Sequence, residues 1–186
     1  MQRYSVFSLI KNAFNGHKGW EVAWKDPTPK SEYDVVIIGG GGHGLATVYY
    51  LAKEHNITNV AIIEKGWIGG GNVGRNTTIV RSNYMHDDNA RFSEFGMNLW
   101  RNMSQELNFN VMFSPRGIIN LAHSDAQMNV YSRRGNSMRL NGIDAVLLNR
   151  EEVKKMIPMA DFSENVRFPI FGGLMQPSAG TARHDG

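Results

Sequence analysis

The stretch Tyr33–Gly44, YDVVIIGGGGHG, decides the fold class. Residues 35–38 form a short apolar run rich in β-branched side chains, which is typical of a parallel strand buried on both faces. A glycine-rich turn follows, and the next residues, LATVYYLAKEH, predict a helix that ends near His55. Residues 59–64, NVAIIE, predict a second buried strand. The chain therefore predicts a βαβ unit of an α/β fold.

The glycines between the first strand and the helix match the GxGxxG fingerprint of dinucleotide-binding folds. Gly39 permits the tight turn, Gly41 allows a pyrophosphate to approach the backbone, and Gly44 allows close packing of helix and strand. The helix N terminus presents N–H groups and a positive dipole end to the phosphates. Glu64 ends the second strand, where a carboxylate accepts hydrogen bonds from ribose hydroxyls. These residues predict binding of a cofactor that contains ADP.

The fingerprint alone does not decide between NAD and FAD, but the loop after Glu64 favours FAD. This loop, GGGNVGRNTTIVRS at 69–82, is again rich in glycine, which suits an extended FAD whose flavin end passes close to the backbone. An arginine beside it would favour a negatively charged reduced flavin; the alternative is an arginine paired with a surface acid. The predicted cofactor-binding residues are Gly39, Gly41, Gly42, His43, Gly44, Glu64, Lys65, Asn72, Arg75, Thr77 and Ile79.

Further elements are predicted downstream. Residues 87–108 predict a helix, and residues 111–124 predict a hairpin that turns at Pro115 to Gly117. The helix carries an apolar stripe at a spacing of three to four, formed by Phe92, Phe95, Leu99 and Met103. Ser124 predicts the cap of a helix that runs to Asn141, with Gly142 at its C-terminal end.

The segment after Gly142 carries a second set of local signals. AVLLN at 145–149 predicts a strand, and Asn149 with Glu152 predicts a capping box at the start of a short helix. Pro158 ends that helix, and residues 159–186 are predicted to be irregular or β-like.

Composition excludes several classes of function. The net charge of +3 is small and dispersed, which argues against nucleic acid as a partner. The chain has no cysteine, so thiolate metal sites, disulfides and cysteine nucleophiles are excluded, and no metal site is expected. The N terminus lacks the features of a signal peptide, and no apolar run approaches the ~20 residues that span a bilayer. A soluble cytoplasmic protein that does not associate with membranes is expected.

Three stretches resemble the beta subunits of heterotetrameric sarcosine oxidases. They are YDVVIIGGGGHGLATVYYLAKEH, NVAIIEKGWIGGGNVGRNTTIVRSNY and GTARHDG, and the N-terminal GHKGWEVAWKDPTPK is similar as well. The resemblance implies a Rossmann-like FAD-binding domain of the glutathione-reductase and D-amino-acid-oxidase type, incomplete in this chain, followed by the start of a substrate domain. We therefore expect an N-terminal arm at 1–33 that contains Trp20 and Trp24, an FAD-binding segment at 34–110, and a substrate-domain segment with an FMN-attachment loop at 111–186.

The same resemblance implies two flavins. FAD is expected to bind non-covalently, and His184 matches the histidine of the family's ARHD motif, to which FMN is attached covalently. A neutral imidazole would attack the 8α-methyl group of the flavin, and a nearby Arg183 would disfavour the imidazolium. Sarcosine is expected to be oxidised at FAD, electrons to pass to FMN, and O2 to be reduced to peroxide. The implied partners are the alpha, gamma and delta subunits, with tetrahydrofolate as the acceptor of the one-carbon unit.

Two departures from the wider family bear on this interpretation. Related dehydrogenases carry a Trp-His pair that links FAD where this chain has Asn76-Thr77-Thr78, so covalent FAD is not expected. The chain also ends two residues after His184, before the region expected to hold the catalytic residues. We expect a fragment that exposes apolar sheet edges, binds FAD poorly and turns over no sarcosine by itself. The alternatives are a single-flavin amine or amino-acid oxidoreductase and a non-catalytic flavin-binding module.

Overall fold

The computed structural model, which describes residues 5–18 and 27–183, contains the predicted βαβ unit. Strand β1 (Val35–Ile38) pairs in parallel with β2 (Val60–Ile63), and helix α2 (Gly42–His55) connects them. Helix α1 (Val6–Phe14) precedes them, and a short 3-10 turn (Val73–Arg75) follows. These elements belong to the first of two compact units, Met1–Arg75 and Asn76–Gly186. Trp20 and Trp24 lie outside the described residues, and the domain boundaries at 33 and 110 stay predictions.

The parallel strands are covered on one face only, where their side chains are half-buried, so the prediction of burial on both faces is wrong. Helix α2 packs against both strands, and Ile37 lies under its first turn. On the opposite face Val36, Ile38 and Ile63 are exposed, and 88% of Ile38 is accessible to solvent. The physical reason is that a single helix covers a sheet of two strands from one side.

The second unit is built around an antiparallel sheet of three strands in the order β4-β6-β5. Its elements are β3 (Ile79–Val80), α3 (Asp87–Glu106), β4 (Ile118–Ala122), α4 (Asp125–Leu140), β5 (Val146–Asn149), α5 (Arg150–Met156), β6 (Gly172–Gln176) and β7 (Gly180–Thr181). Strands β3 and β7 form a separate antiparallel pair, in which Ile79 lies opposite Thr181.

The core of the second unit lies on both faces of the central strand β6. On one face Leu174 is fully buried with Met138 of α4 and Ala90 of α3. On the other face Val153 of α5 packs in a cluster with Met175. Because helices pack on both faces of β6, this strand forms the buried centre of the unit.

The hairpin predicted for residues 111–124 is wrong. Strand β4 pairs with β6, with Ile118 opposite Gln176, and no strand covers residues 111–113. Ser114 instead forms an isolated bridge with Thr181, through hydrogen bonds of 2.7 and 3.1 Å in the two directions. The partners of this segment are distant in sequence, and a local turn signal does not report them.

The helix predicted at 87–108 is confirmed as α3, and its apolar stripe is only partly covered, because Leu99 and Met103 are half-buried. Phe92 and Phe95 are 77% and 63% exposed, whereas Ala90 and Met97 are buried. The small side chain of Ala90 allows α3 to pack closely on α4. The buried side therefore carries one small and one flexible apolar residue, while two of the large aromatic residues face solvent.

Both predicted helix starts in this unit are confirmed. The Ser124 hydroxyl accepts a hydrogen bond from the N–H of Gln127 at the start of α4, and Gly142 adopts a positive φ just beyond its end. At the start of α5, Asn149 and Glu152 form the reciprocal capping box. Such caps satisfy N–H groups that lack partners within the helix, so the signal is local and readable from sequence.

Candidate cofactor site

The turn between β1 and α2 has the geometry that the glycine fingerprint requires. Gly39 has a φ of +108°, in the region that side chains disfavour, and its N–H donates to the carbonyl of Ile63 over 2.8 Å. A Cβ at position 44 would lie 2.0 Å from the carbonyl oxygen of Gly39. The first turn of α2 can therefore pack against the end of β1 only if Gly44 has no side chain.

Gly41 has a different role from its neighbours. It is the N-cap residue of α2, its backbone is extended, and a Cβ built on it would have no atom within 4 Å. The space beside it is open, next to the helix N terminus, whose first N–H groups lack partners within the helix. A phosphate fits this cradle, because N–H donors and the positive end of the helix dipole point toward it.

Glu64 links the end of β2 to the fingerprint loop. Its Oε2 accepts a hydrogen bond from the N–H of Gly40 over 2.7 Å, and its Oε1 accepts one from the N–H of Gly66 over 2.9 Å. These backbone hydrogen bonds, with smaller contributions from the backbone and charge of Lys65, hold the pKa of the Glu64 carboxyl below its ordinary value of 4.5. The carboxylate is thus ionised and fixed at the place predicted for a ribose contact, with further lone pairs to accept hydroxyl groups.

The second glycine-rich loop folds back onto the first. The N–H of Gly69 donates to the carbonyl of Gly40 over 2.9 Å, and a Cβ at Gly42 would lie 2.9 Å from a methyl group of Val73. The N–H of Gly74 donates to the carbonyl of Gly69 over 3.0 Å, which closes the loop before the 3-10 turn. The first unit therefore brings the two predicted cofactor loops together.

Four of the predicted cofactor contacts are exposed side chains of this unit. Lys65, Asn72 and Arg75 are exposed on or next to the second loop. The exposed His43 lies in the first turn of α2 and lines an open groove of about 330 Å³ with Thr47 and Tyr50. Direct contact of these side chains with a cofactor stays a prediction.

The remaining predicted residues lie in the second unit. Thr77 and Ile79 are exposed at the start of its chain, and Ile79 belongs to β3. The N–H of Ala182 donates to the carbonyl of Thr78 over 3.0 Å, beside the pairing of β3 with β7. The structure thus joins the Thr77–Ile79 segment to the strand that leads toward His184. His184 itself lies outside the described residues.

Sequence reasoning missed three backbone groups of the first unit. Gly40 provides both the N–H for Glu64 and the carbonyl for Gly69, and Gly66 provides the second N–H for Glu64. Gly40 stands within a run of four glycines, of which the fingerprint accounts for two, so its presence was a usable signal. The partners of Gly66 and Gly69 depend on how the second loop folds, and no spacing rule describes that.

The described residues contain neither a candidate metal site nor a helix that could span a membrane. Among residues 5–18 and 27–183, no group of three or more His, Asp and Glu side chains is arranged to hold a metal ion. None of the helices within these ranges has the length and apolar character needed to cross a bilayer.

A parallel βαβ unit with this glycine cradle and an ionised glutamate is typical of dinucleotide-binding proteins. Sequence comparison then identifies the family of such proteins to which the chain belongs. Residues 34–186 match the family described as FAD dependent oxidoreductase (DAO). The chain belongs to this family of FAD-dependent oxidoreductases.

Individual relatives are more specific. The chain is 59% identical over 183 residues to the sarcosine oxidase subunit beta of Rhizobium meliloti (strain 1021), covering 98% of this chain and 44% of that protein. It is 51% identical over 185 residues to the sarcosine oxidase subunit beta of Rhodobacter capsulatus, covering 100% of this chain and again 44% of the relative. The chain thus spans less than half the length of these relatives.

Solved structures agree on the fold. The L-proline dehydrogenase of P. horikoshii superposes with a TM-score of 0.73 at 26% identity, covering 84% of this chain and 40% of that one. The predicted D-amino-acid-oxidase type of FAD fold is confirmed by this match together with the family assignment.

Proposed function

We propose that this chain forms part of the beta subunit of a sarcosine oxidase. The observation that carries the proposal is its identity of 59% to one such subunit over nearly its whole length. The reaction would convert sarcosine and O2 to glycine and H2O2, and the one-carbon unit would pass to tetrahydrofolate. Alpha, gamma and delta subunits would complete the assembly. A cytoplasmic location stays a prediction.

The residues of the first unit support binding of FAD. The N–H groups at the start of α2 would bind the pyrophosphate beside Gly41, and the Glu64 carboxylate would accept the ribose hydroxyls. Lys65, Asn72 and Arg75 would contact the cofactor from the second loop. When bound, FAD supplies the acceptor for two electrons from the amine.

We further propose that a second flavin, FMN, is attached to His184. The neighbouring Arg183 would favour the neutral imidazole, which acts as the nucleophile. In support of the proposal, β3, which contains the predicted FAD contact Ile79, pairs with β7. Residue 184 follows the end of β7 by three positions along the chain. FMN would supply the group at which electrons from the amine reach O2.

The structural match to an L-proline dehydrogenase favours a second candidate, a single-flavin amine oxidoreductase. Steady-state assays separate the two. The chain would be expressed within its full-length protein and with its companion subunits, and kcat/KM would be measured for sarcosine, dimethylglycine and proline with peroxide as the readout. A clear preference for sarcosine with one peroxide per turnover supports the proposal. A preference for proline, or turnover without peroxide, supports the second candidate.

A further inference from the structure

A tight turn at the start of the second glycine-rich loop is attached to the fingerprint loop. In this turn, Trp67–Gly70, the N–H of Gly70 donates to the carbonyl of Trp67 over 3.0 Å. Its third residue, Gly69, has a φ of +72°, as a type II turn requires. The N–H of Gly69 also donates to the carbonyl of Gly40 over 2.9 Å. The backbone of the turn is therefore held by the loop that forms the phosphate cradle.

The indole ring of Trp67 lies on Gly70. A Cβ built at residue 70 would be 2.6 Å from Cε2 and Nε1 of the ring, so only a glycine leaves room for the ring in this position. The Trp67 side chain is nevertheless 68% exposed. One exposed apolar side chain is not unusual in itself. An aromatic ring that rests on the backbone and is otherwise open to solvent, however, has a surface available for a second planar group.

Trp67 lies close to the carboxylate that is predicted to bind ribose. The N–H of Gly66, the preceding residue, donates to Oε1 of Glu64 over 2.9 Å. With standard bond lengths, this hydrogen bond places the Cα of Trp67 within about 8 Å of Oε1. In adenosine, the base is bonded to the ribose carbon next to the one that carries the 2′-hydroxyl group. An adenosine whose ribose hydroxyls are bound by Glu64 therefore brings its adenine into the neighbourhood of Trp67.

We propose that the indole of Trp67 stacks on the adenine of FAD. This inference rests on the proposed function, and it gives Trp67 a role that the glycine fingerprint does not describe. Stacking uses the face of the base, and such contacts with aromatic side chains contribute measurably to nucleotide binding. The start of α2 would bind the pyrophosphate, Glu64 the ribose and Trp67 the base. The first unit would thus recognise the whole ADP half of the cofactor.

The test measures binding of ADP, because ADP contains the base, the ribose and two phosphates but no flavin. The full-length protein would be assembled with its companion subunits and freed of dissociable flavin, and the Kd would be determined by calorimetry. We expect Trp67→Ala to raise the Kd for ADP at least about fivefold, the lower end of the effect of base stacking. Trp67→Phe keeps an aromatic ring and should restore most of the affinity.

Two controls separate loss of stacking from damage to the turn. Ribose 5-diphosphate lacks the base, so its Kd should be the same in Trp67→Ala and in the unsubstituted protein. Ile68→Ala removes a neighbouring exposed side chain of the same turn and should leave the Kd for ADP unchanged. Because Trp67 is mostly exposed, the loss of its side chain should not prevent folding.

Gly70→Ala moves the indole without removing it. The added methyl group would occupy the place of the ring, which must then move aside. Gly70→Ala should therefore raise the Kd for ADP by a similar factor to Trp67→Ala. The double variant Trp67→Ala/Gly70→Ala should bind ADP no more weakly than either single variant, because both substitutions remove the same contact. Effects that multiply in the double variant would overturn the inference.

The remaining outcomes distinguish the inference from the proposed function. An unsubstituted protein that binds neither FAD nor ADP contradicts the proposed function. Binding of both ligands, with the Kd for ADP unchanged in Trp67→Ala, overturns the role of Trp67 and leaves the proposed function standing. Equal weakening of ADP and ribose 5-diphosphate in Trp67→Ala also overturns that role, because the substitution then acts on the turn and not on the base.

Discussion

The N–H of Gly40 and the Oε2 of Glu64 are joined by a hydrogen bond of 2.7 Å, which ties the fingerprint turn after β1 to the end of β2. The second carboxylate oxygen accepts a hydrogen bond from the N–H of Gly66, three residues before the second glycine-rich loop at 69–82. Glu64 thus has two tasks, because the same carboxylate that is predicted to bind ribose also holds the two loops in place.

The substitution Glu64→Gln should weaken FAD binding about tenfold, since hydrogen bonds to a charged group are lost. A glutamine can accept from one of the two N–H groups, but its NH2 group then faces the other donor. Titration with FAD, followed by flavin fluorescence, measures the change. Glu54→Gln on the exposed end of α2 is the matched control and should bind FAD as the unsubstituted protein does. Equal affinities for the two variants would contradict the role of Glu64.

Glu64 should also make stability depend on pH in a defined window. Its pKa is lowered in the folded protein, so the stability that it contributes is fully present above its ordinary pKa of 4.5. That contribution is lost as the pH falls through the lower pKa of the folded state. The difference in unfolding free energy between the unsubstituted protein and Glu64→Gln should therefore be constant above pH 4.5 and shrink below it. A difference that grows on acidification would be the opposite of this expectation.

The two fingerprint glycines Gly44 and Gly41 should respond differently to alanine. Gly44→Ala places a methyl group against the backbone of Gly39 and should cost about 1–3 kcal/mol of unfolding free energy. Gly41→Ala has space and an ordinary extended backbone, so its stability should change by less than about 0.5 kcal/mol. Its FAD affinity should nevertheless fall, because the methyl group enters the phosphate cradle. Thermal unfolding without FAD and FAD titration separate the effects; unchanged FAD affinity in Gly41→Ala would place the pyrophosphate elsewhere.

The difference in burial between the two sides of α3 can be tested by truncating one residue on each. Met97 is only 1% exposed, so Met97→Ala should cost about 2–5 kcal/mol. Phe95 is largely exposed, so Phe95→Ala should change the stability by less than about 0.5 kcal/mol. Urea unfolding of the two variants gives both values. A larger loss for Phe95→Ala than for Met97→Ala would contradict the burial that the structure shows for α3.

Local signals in the sequence were sufficient for the βαβ unit and for the helix starts. The fingerprint glycines, the apolar runs and the Asn149–Glu152 capping box act between residues that are close along the chain or follow a fixed spacing. The family resemblance added the FAD-dependent class, which the match over residues 34–186 confirms.

The errors arose where contacts connect distant residues. Strand β4 takes β6 as its partner, and Ser114 takes Thr181, although a turn signal at Pro115 favoured a hairpin. On α3 the burial of Ala90 comes from its packing with Met138 of α4, which no local pattern reports. The two hydrogen bonds between the buried residues Ser82 and Gln176 were not predicted for the same reason, because a serine and a glutamine 94 positions apart carry no pattern.

One measurement tests the account most directly. The full-length protein, purified with its companion subunits, would be denatured in acid, and the mass of the peptide that contains His184 would be determined. We expect the added mass of FMN on His184, with FAD released in dissociable form. An unmodified His184, with dissociable FAD as the only flavin recovered, would contradict it and favour a single-flavin amine oxidoreductase.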